Sequence, residues 1–347
     1  MLCTERRSAS TFKKRPVQLR EDMASTMAVT ALSPLVSDGN ETDCDFAKVD
    51  GLMKSLQLVI YIPIFVFGLM LNTTALVVFY VLLKKWTETT IYMTNLALMD
   101  LLLLFSLPFK MHATTHKWAV NVKLFCSFLE SLHFVTMYGS IYTIMCISID
   151  RYISIKLPIQ ARTLRSPRMA RMVCLLIWVL VLSATVPVYK FHNTDEKQFR
   201  CFHEFSNDGW NPVLIACVEV FGFLLPALVL VVCSVQIIHT LKKSQECSAK
   251  SLACARIIYS SLFAFLVPFT PSHLGIFLQF LVHQGTITDC TAKTQISLYM
   301  QVTMCLANIT CCLDAVCYYF MTREIRSSKD ILTRSISYRR PTSTSEV

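Results

Sequence analysis

Long apolar runs alternate with short polar segments, and seven such runs follow one another along the chain. They cover about residues 55–83, 90–112, 126–152, 172–190, 211–241, 254–284 and 294–320. Between Glu130 and Asp150 stand 19 residues with no formal charge. As a helix, the 21 steps from Glu130 to Arg151 rise roughly 31 Å, about one bilayer core. The run between Arg256 and Asp289 holds 32 residues, too many for a soluble core helix. The pattern predicts an all-α fold, a seven-transmembrane helix bundle, with the third span at its centre. Pro226, Pro268 and Pro271 inside the runs do not argue against helix, because neighbouring helices and water re-satisfy freed carbonyls in a membrane.

Composition strengthens this reading: of 347 residues, 54% are hydrophobic, 16% charged and only 8 are Gly. The net charge of +10 suggests nucleic acid until its placement is considered. Lys84, Lys85, Lys156, Arg162, Arg165, Arg168, Arg171, Lys242 and Lys243 flank the runs on one side, which makes that side cytoplasmic. Seven spans then put the amino terminus outside, where Asn40-Glu41-Thr42 is a glycosylation sequon. No apolar leader precedes the first run, which acts as its own insertion signal. The expected organisation is an extracellular tail (1–51), the bundle (52–320), a short amphipathic eighth helix (321–332) on the inner membrane surface, and a disordered cytoplasmic tail (333–347). Of 15 cysteines, Cys44, Cys126, Cys201 and Cys290 lie near the outer face, where oxidation is expected.

Ionisable residues inside a membrane are costly and mark function. Asp100 and Asp314 lie in mid-span. Ser140, 11 residues outward of Arg151, sits at similar depth. Two carboxylates and a hydroxyl suit a Na⁺ site or a packing network. No other metal or cofactor is expected. An outer layer holds Lys110, Glu130, His133 and His273. Lys110 either snorkels to the interface or faces an acidic ligand group, pairing with Glu130 while the site is empty. Met137, Tyr138 and Phe277 supply apolar surface below it, so the site suits an amphiphilic anion. At the inner end of the third span, Asp150-Arg151-Tyr152 reads as a charge latch, Arg151 being held by Asp150 in one state and released in another.

Placed in order, these residues resemble the rhodopsin-like (class A) G-protein-coupled receptors over about residues 52–330. The resemblance rests on Gly68-Leu69-Met70-Leu71-Asn72, Asn95-Leu96-Ala97-Leu98-Met99-Asp100, Cys126, Asp150-Arg151-Tyr152, Trp178, Pro226, Phe269-Thr270-Pro271 and Asp314-Ala315-Val316-Cys317-Tyr318. It implies a Cys126–Cys201 disulfide, a second Cys44–Cys290 bridge, and a switch built from the Asp-Arg-Tyr triplet with Phe269, Pro271, Asp314 and Tyr318. It also implies coupling to a heterotrimeric G protein and to arrestin. Departures stand at Ala315, where the family has Pro, at Phe269, where it has Trp, and at Ser234, where it has Tyr. Within the family, strings such as Ser106-Leu107-Pro108-Phe109-Lys110 and Cys311-Cys312-Leu313-Asp314 look like receptors for lysophosphatidylinositol. That likeness implies an anionic lysophospholipid ligand held by Lys110 and signalling through Rho-activating G proteins and calcium.

A receptor for a small anionic metabolite is the alternative, since a cationic mouth serves either ligand. An amine ligand is disfavoured, because His133 stands where amine receptors carry aspartate. A retinal receptor is excluded by the lack of a lysine in the middle of the seventh run. An ion-coupled transporter would be expected to show internal repeats. No catalytic motif points to an enzyme. The terminal Ser345-Glu346-Val347 suits capture by a PDZ domain.

Overall fold

A computed structural model describes residues 44, 46–83, 86–190, 198–202, 207–243, 249–320 and 322. Among the described residues, seven helices are long and apolar enough to cross a membrane: Ala47–Val81, Glu88–Thr115, Val120–Lys156, Pro167–Tyr189, Pro212–Lys243, Ala255–His283 and Cys290–Phe320. These are called the first to seventh spans. Each overlaps its predicted run, and most extend beyond it, because a helix continues past the hydrocarbon into the polar interface. The first begins at Ala47, ahead of the bundle boundary expected at residue 52.

Several starts are set by polar caps that the apolar pattern does not report. Thr87 accepts from the Thr90 N–H at the start of the second span, and Asp289 accepts from Ala292 at the start of the seventh. Ser166 accepts from Met169 and is followed by Pro167; Asn211 accepts from Val213 and is followed by Pro212. A capping side chain satisfies a backbone donor that has no intrahelical partner, and proline at the first helical position has no N–H to leave orphaned.

The second and third spans are the most enclosed, with 72% and 61% of their most apolar stretches buried, against 28% for the first and fourth and 22% for the fifth. The third span is therefore central, as expected, but shares that place with the second. The outer spans turn Val59, Ile62, Val66, Leu175, Val179, Leu228 and Val235 outward, a surface suited to lipid. Asn95 joins three spans, donating to Thr143 Oγ1 at 2.8 Å while accepting from Trp178 Nε1 at 2.9 Å.

The first span ends in a π-turn at Val78–Leu83, and two further helices are interrupted within their length. The fifth loosens into a π-turn at Val220–Leu224 just before Pro226. Proline cannot donate to the carbonyl four residues back, which falls inside that turn. There Gly222 lies so close to Tyr138 that a Cβ would meet its ring carbon at 2.6 Å. The seventh span breaks at 308–309 and resumes over 310–320, upstream of Ala315.

At one end of the bundle a two-stranded antiparallel sheet pairs β1 (Trp118–Ala119) with β2 (Gln198–Phe199). Disulfides Cys126–Cys201 and Cys44–Cys290 both form at this end. Asn40, Lys84, Lys85 and the tail from 333 lie outside the described residues, as does the expected eighth helix apart from Thr322. That residue continues the helix of the seventh span, donating to Tyr318 O at 2.9 Å.

Candidate functional site

The second span carries Lys110 to the disulfide end, two residues past Pro108. Its Nζ lies 3.3 Å from His133 Nε2 on the third span. Two rings face it, Tyr61 at 5.7 Å and Phe202 at 5.5 Å from their centroids. The expected pairing with Glu130 does not form: Lys110 makes no ion pair with it among the described residues. Glu130 is fully buried and uses Oε1 to accept the backbone N–H of Phe202 at 2.7 Å. Distance decides this, because Phe202 follows Cys201, and the disulfide to Cys126 brings its backbone onto the turn of helix that carries Glu130.

Beneath Lys110 a narrow cavity, with room for about one water, runs between His133 and Asp100, lined also by Leu103, Met137, Ser140, Phe269 and Met304. Tyr138 sits on the other side of the third span, its ring 6.2 Å from that of His273. His273 is buried, stacks on Phe223 at 4.6 Å, and places Nδ1 3.3 Å from Glu219 Oε2. Sequence reasoning missed Glu219 as a site residue. A carboxylate inside an uncharged run was the available signal. Phe277 is 46% exposed and does not line the cavity. The inward face of the sixth span runs through Phe265, Phe269, Ser272, His273 and Ile276, and Phe277 is rotated about 100° from Ile276.

In mid-span, Asp100 Oδ2 accepts from Tyr318 OH at 3.1 Å, and the Tyr318 ring meets Phe79 edge-on. Ser140 shares the Asp100 cavity, whereas Asp314 lines a separate narrow one with Ser261 and Tyr318. Asp314 is fully buried, and neither carboxylate oxygen has a hydrogen-bond donor among the described residues.

At the other end, Asp150 is held from outside its own helix. Arg165 donates Nε to Oδ1 at 2.6 Å and Nη2 to Oδ2 at 2.9 Å, and Thr89 donates to Oδ2 at 3.0 Å. Glu88 adds a looser contact to Arg165 at 3.7 Å. Asp150 therefore takes its partners from the second span and from the segment before the fourth, in place of the expected neighbour Arg151. A guanidinium fork matches a carboxylate in a way an adjacent side chain on the same helix does not. Tyr152 packs beside Ile237 and Ile258, where the fifth and sixth spans meet. Phe269 is buried against Phe265 at the wall of the cavity, and Pro271 lies two residues before His273.

Comparison with known proteins agrees with this architecture. Residues 71–318 match the profile of the 7 transmembrane receptor (rhodopsin family). The human protein named G-protein coupled receptor 55 is 44% identical over 291 residues, covering 82% of this chain and 90% of its own length. Chicken lysophosphatidic acid receptor 6 is 33% identical over 292 residues, covering 81% and 94%. Mouse G-protein coupled receptor 35 is 32% identical over 301 residues, covering 85% and 95%. The matched proteins are receptors, not enzymes. With seven spans, the Cys126–Cys201 bridge and an Asp-Arg-Tyr triplet closing the third span, the chain belongs to the rhodopsin family of seven-transmembrane receptors.

Proposed function

We propose that the chain is a plasma-membrane receptor, amino terminus outside, for an anionic lysophospholipid. Lysophosphatidylinositol is the first candidate. The observation that carries this reading is the setting of Lys110: a half-buried ammonium bordered by His133, Tyr61 and Phe202, with no carboxylate in ion-pair reach among the described residues. A phosphate there gains a charge-assisted bond in a poorly solvated place. Below it, Leu103, Met137, Phe269 and Met304 supply apolar walls, and the narrow space between them must widen to admit an acyl chain. Relatives named for lysophosphatidic acid support the same ligand class.

A ligand that binds the signalling conformation more tightly shifts the population toward it. The sixth span then moves about its Pro268–Pro271 region, and Arg151 is released to a G protein of the Rho-activating class, with calcium downstream. Arrestin takes the same face afterwards, and a PDZ domain takes Ser345-Glu346-Val347. A sodium ion in the middle of the bundle would find oxygen ligands of the kind hard cations take on Asp100 and Ser140, which share one cavity, while Asp314, with two buried oxygens that lack donors among the described residues, lines the neighbouring one. Bound there, it supplies a fixed positive charge near both carboxylates.

The test is the Rho and calcium response of cells expressing the chain to lysophosphatidylinositol, beside a Lys110→Ala variant with matched surface expression. Loss of response in the variant supports the lipid head on Lys110. A normal response in the variant rejects that placement. Silence of both to the lipid, with a response to a small anionic metabolite, favours the metabolite alternative.

A further inference from the structure

Phe202 has a backbone φ of +65°, alone among the described residues other than glycine in having a positive value. A bulky side chain rarely adopts that region, because its Cβ crowds the carbonyl oxygen that follows it. Such a conformation persists only where the surroundings hold it, and three contacts do so here. Cys201, next to it, is tied to Cys126. Its N–H is held by the buried Glu130 carboxylate at 2.7 Å. Its ring faces Lys110 at 5.5 Å and meets His133 edge-on at 6.1 Å. The π-face therefore lies where an anionic group would approach the ammonium.

We infer that Phe202 is an internal occupant of the Lys110 site, an aromatic gate cocked by Glu130, which an anionic ligand head must displace. The inference rests on the proposal that an anion pairs with Lys110, and it assigns Glu130 a role different from contact with the ligand. Glu130 acts as a positioning residue: it fixes the backbone of Phe202, and the ring then covers the ammonium. A cation facing an aromatic ring is stabilised modestly, whereas a phosphate offers a full opposite charge, so the exchange favours a charged head and disfavours a neutral lipid. The strained backbone favours release once the ring has been displaced.

Two substitutions separate ring from backbone. Glycine adopts a positive φ without steric cost, so Phe202→Gly removes the ring and keeps the bond to Glu130 available. Phe202→Tyr retains a ring and serves as the conservative control. In cells expressing the full chain, Phe202→Gly should lower the half-maximal concentration of lysophosphatidylinositol by about tenfold, the size of a partly desolvated cation–π contact, and Phe202→Tyr should leave it near that of the parent. An unchanged or raised value in Phe202→Gly, while Lys110→Ala abolishes the response, overturns the gate.

A second readout needs no lipid. In Lys110→Cys, modification by an anionic methanethiosulfonate reagent reports access to the site, measured against the same background without that cysteine. The rate should rise at least severalfold when Phe202→Gly is added and stay low with Phe202→Tyr. No rise overturns the gate. A clear rise in a receptor that ignores the lipid supports the gate and places the failure in the assignment of the ligand.

Discussion

Arg165 grips Asp150 through both arms of its guanidinium, Nε to Oδ1 at 2.6 Å and Nη2 to Oδ2 at 2.9 Å. This fastens the segment ahead of the fourth span to the inner end of the third. Asp150 is buried, and Thr89 supplies its remaining bond from the second span. Three parts of the chain thus meet on one carboxylate, which leaves Asp150 engaged away from its neighbour Arg151.

Removing the fork leaves Asp150 buried with Thr89 as its remaining contact of this network. Arg165→Ala is expected to destabilise the purified receptor by about 1–3 kcal/mol, the range for losing a charge-assisted bond to a buried group. Arg165→Lys should recover only part of this, because an ammonium cannot make the two parallel bonds. Thermal unfolding of the three proteins in one detergent is the measurement. Equal midpoints for lysine and arginine would show that charge alone matters.

Gly275 gives a second expectation. A Cβ there would stand 3.1 Å from the Met300 Cα and 3.2 Å from Thr303 Oγ1, so the sixth and seventh spans approach backbone to side chain at this level. Backbone cannot swing aside as a side-chain tip can. Gly275→Ala is therefore expected to cost about 1–3 kcal/mol through forced separation of the helices. Gly51, whose Cβ would meet nothing within 4 Å, is the control, and Gly51→Ala should leave the midpoint unchanged or slightly raised. Matched unfolding midpoints for the two variants would contradict the close packing.

The spans were legible because lipid imposes a length and an absence of charge that few other environments require. Both disulfides followed from the family resemblance, and the depths of Lys110, His133, Asp100 and Asp150 followed from counting residues along helices. Partner choice was not legible. Lys110 lies against His133 because of how the second and third spans are rotated against each other, while Glu130 holds Phe202 and Asp150 turns to Arg165 because loops bring distant groups together; neither rotation nor loop geometry leaves much trace in the order of residue types. A left-handed backbone is usually announced by glycine or asparagine, so Phe202 gave no warning. Phe277 shows the limit of counting: a helical step of 100° separates lining the cavity from facing away from it.

His273 and Glu219 carry the last expectation. Nδ1 and Oε2 lie 3.3 Å apart between the fifth and sixth spans, and Phe223 covers the imidazole. Glu219 Oε1 is also buried and has no donor among the described residues, so the imidazole is the main compensation for burying this carboxylate. Removing one partner should then cost more than removing both. His273→Phe leaves the carboxylate without that compensation and is expected to destabilise the receptor by about 3 kcal/mol, while the double variant His273→Phe with Glu219→Leu should regain most of the loss. Glu219→Leu alone removes the costly charge and leaves an imidazole that tolerates neutrality, so it should fall between the two. Unfolding midpoints of the four proteins close the cycle. Strict additivity of the single effects would mean that the two groups do not interact, and that His273 is held at this level by the stacking of Phe223.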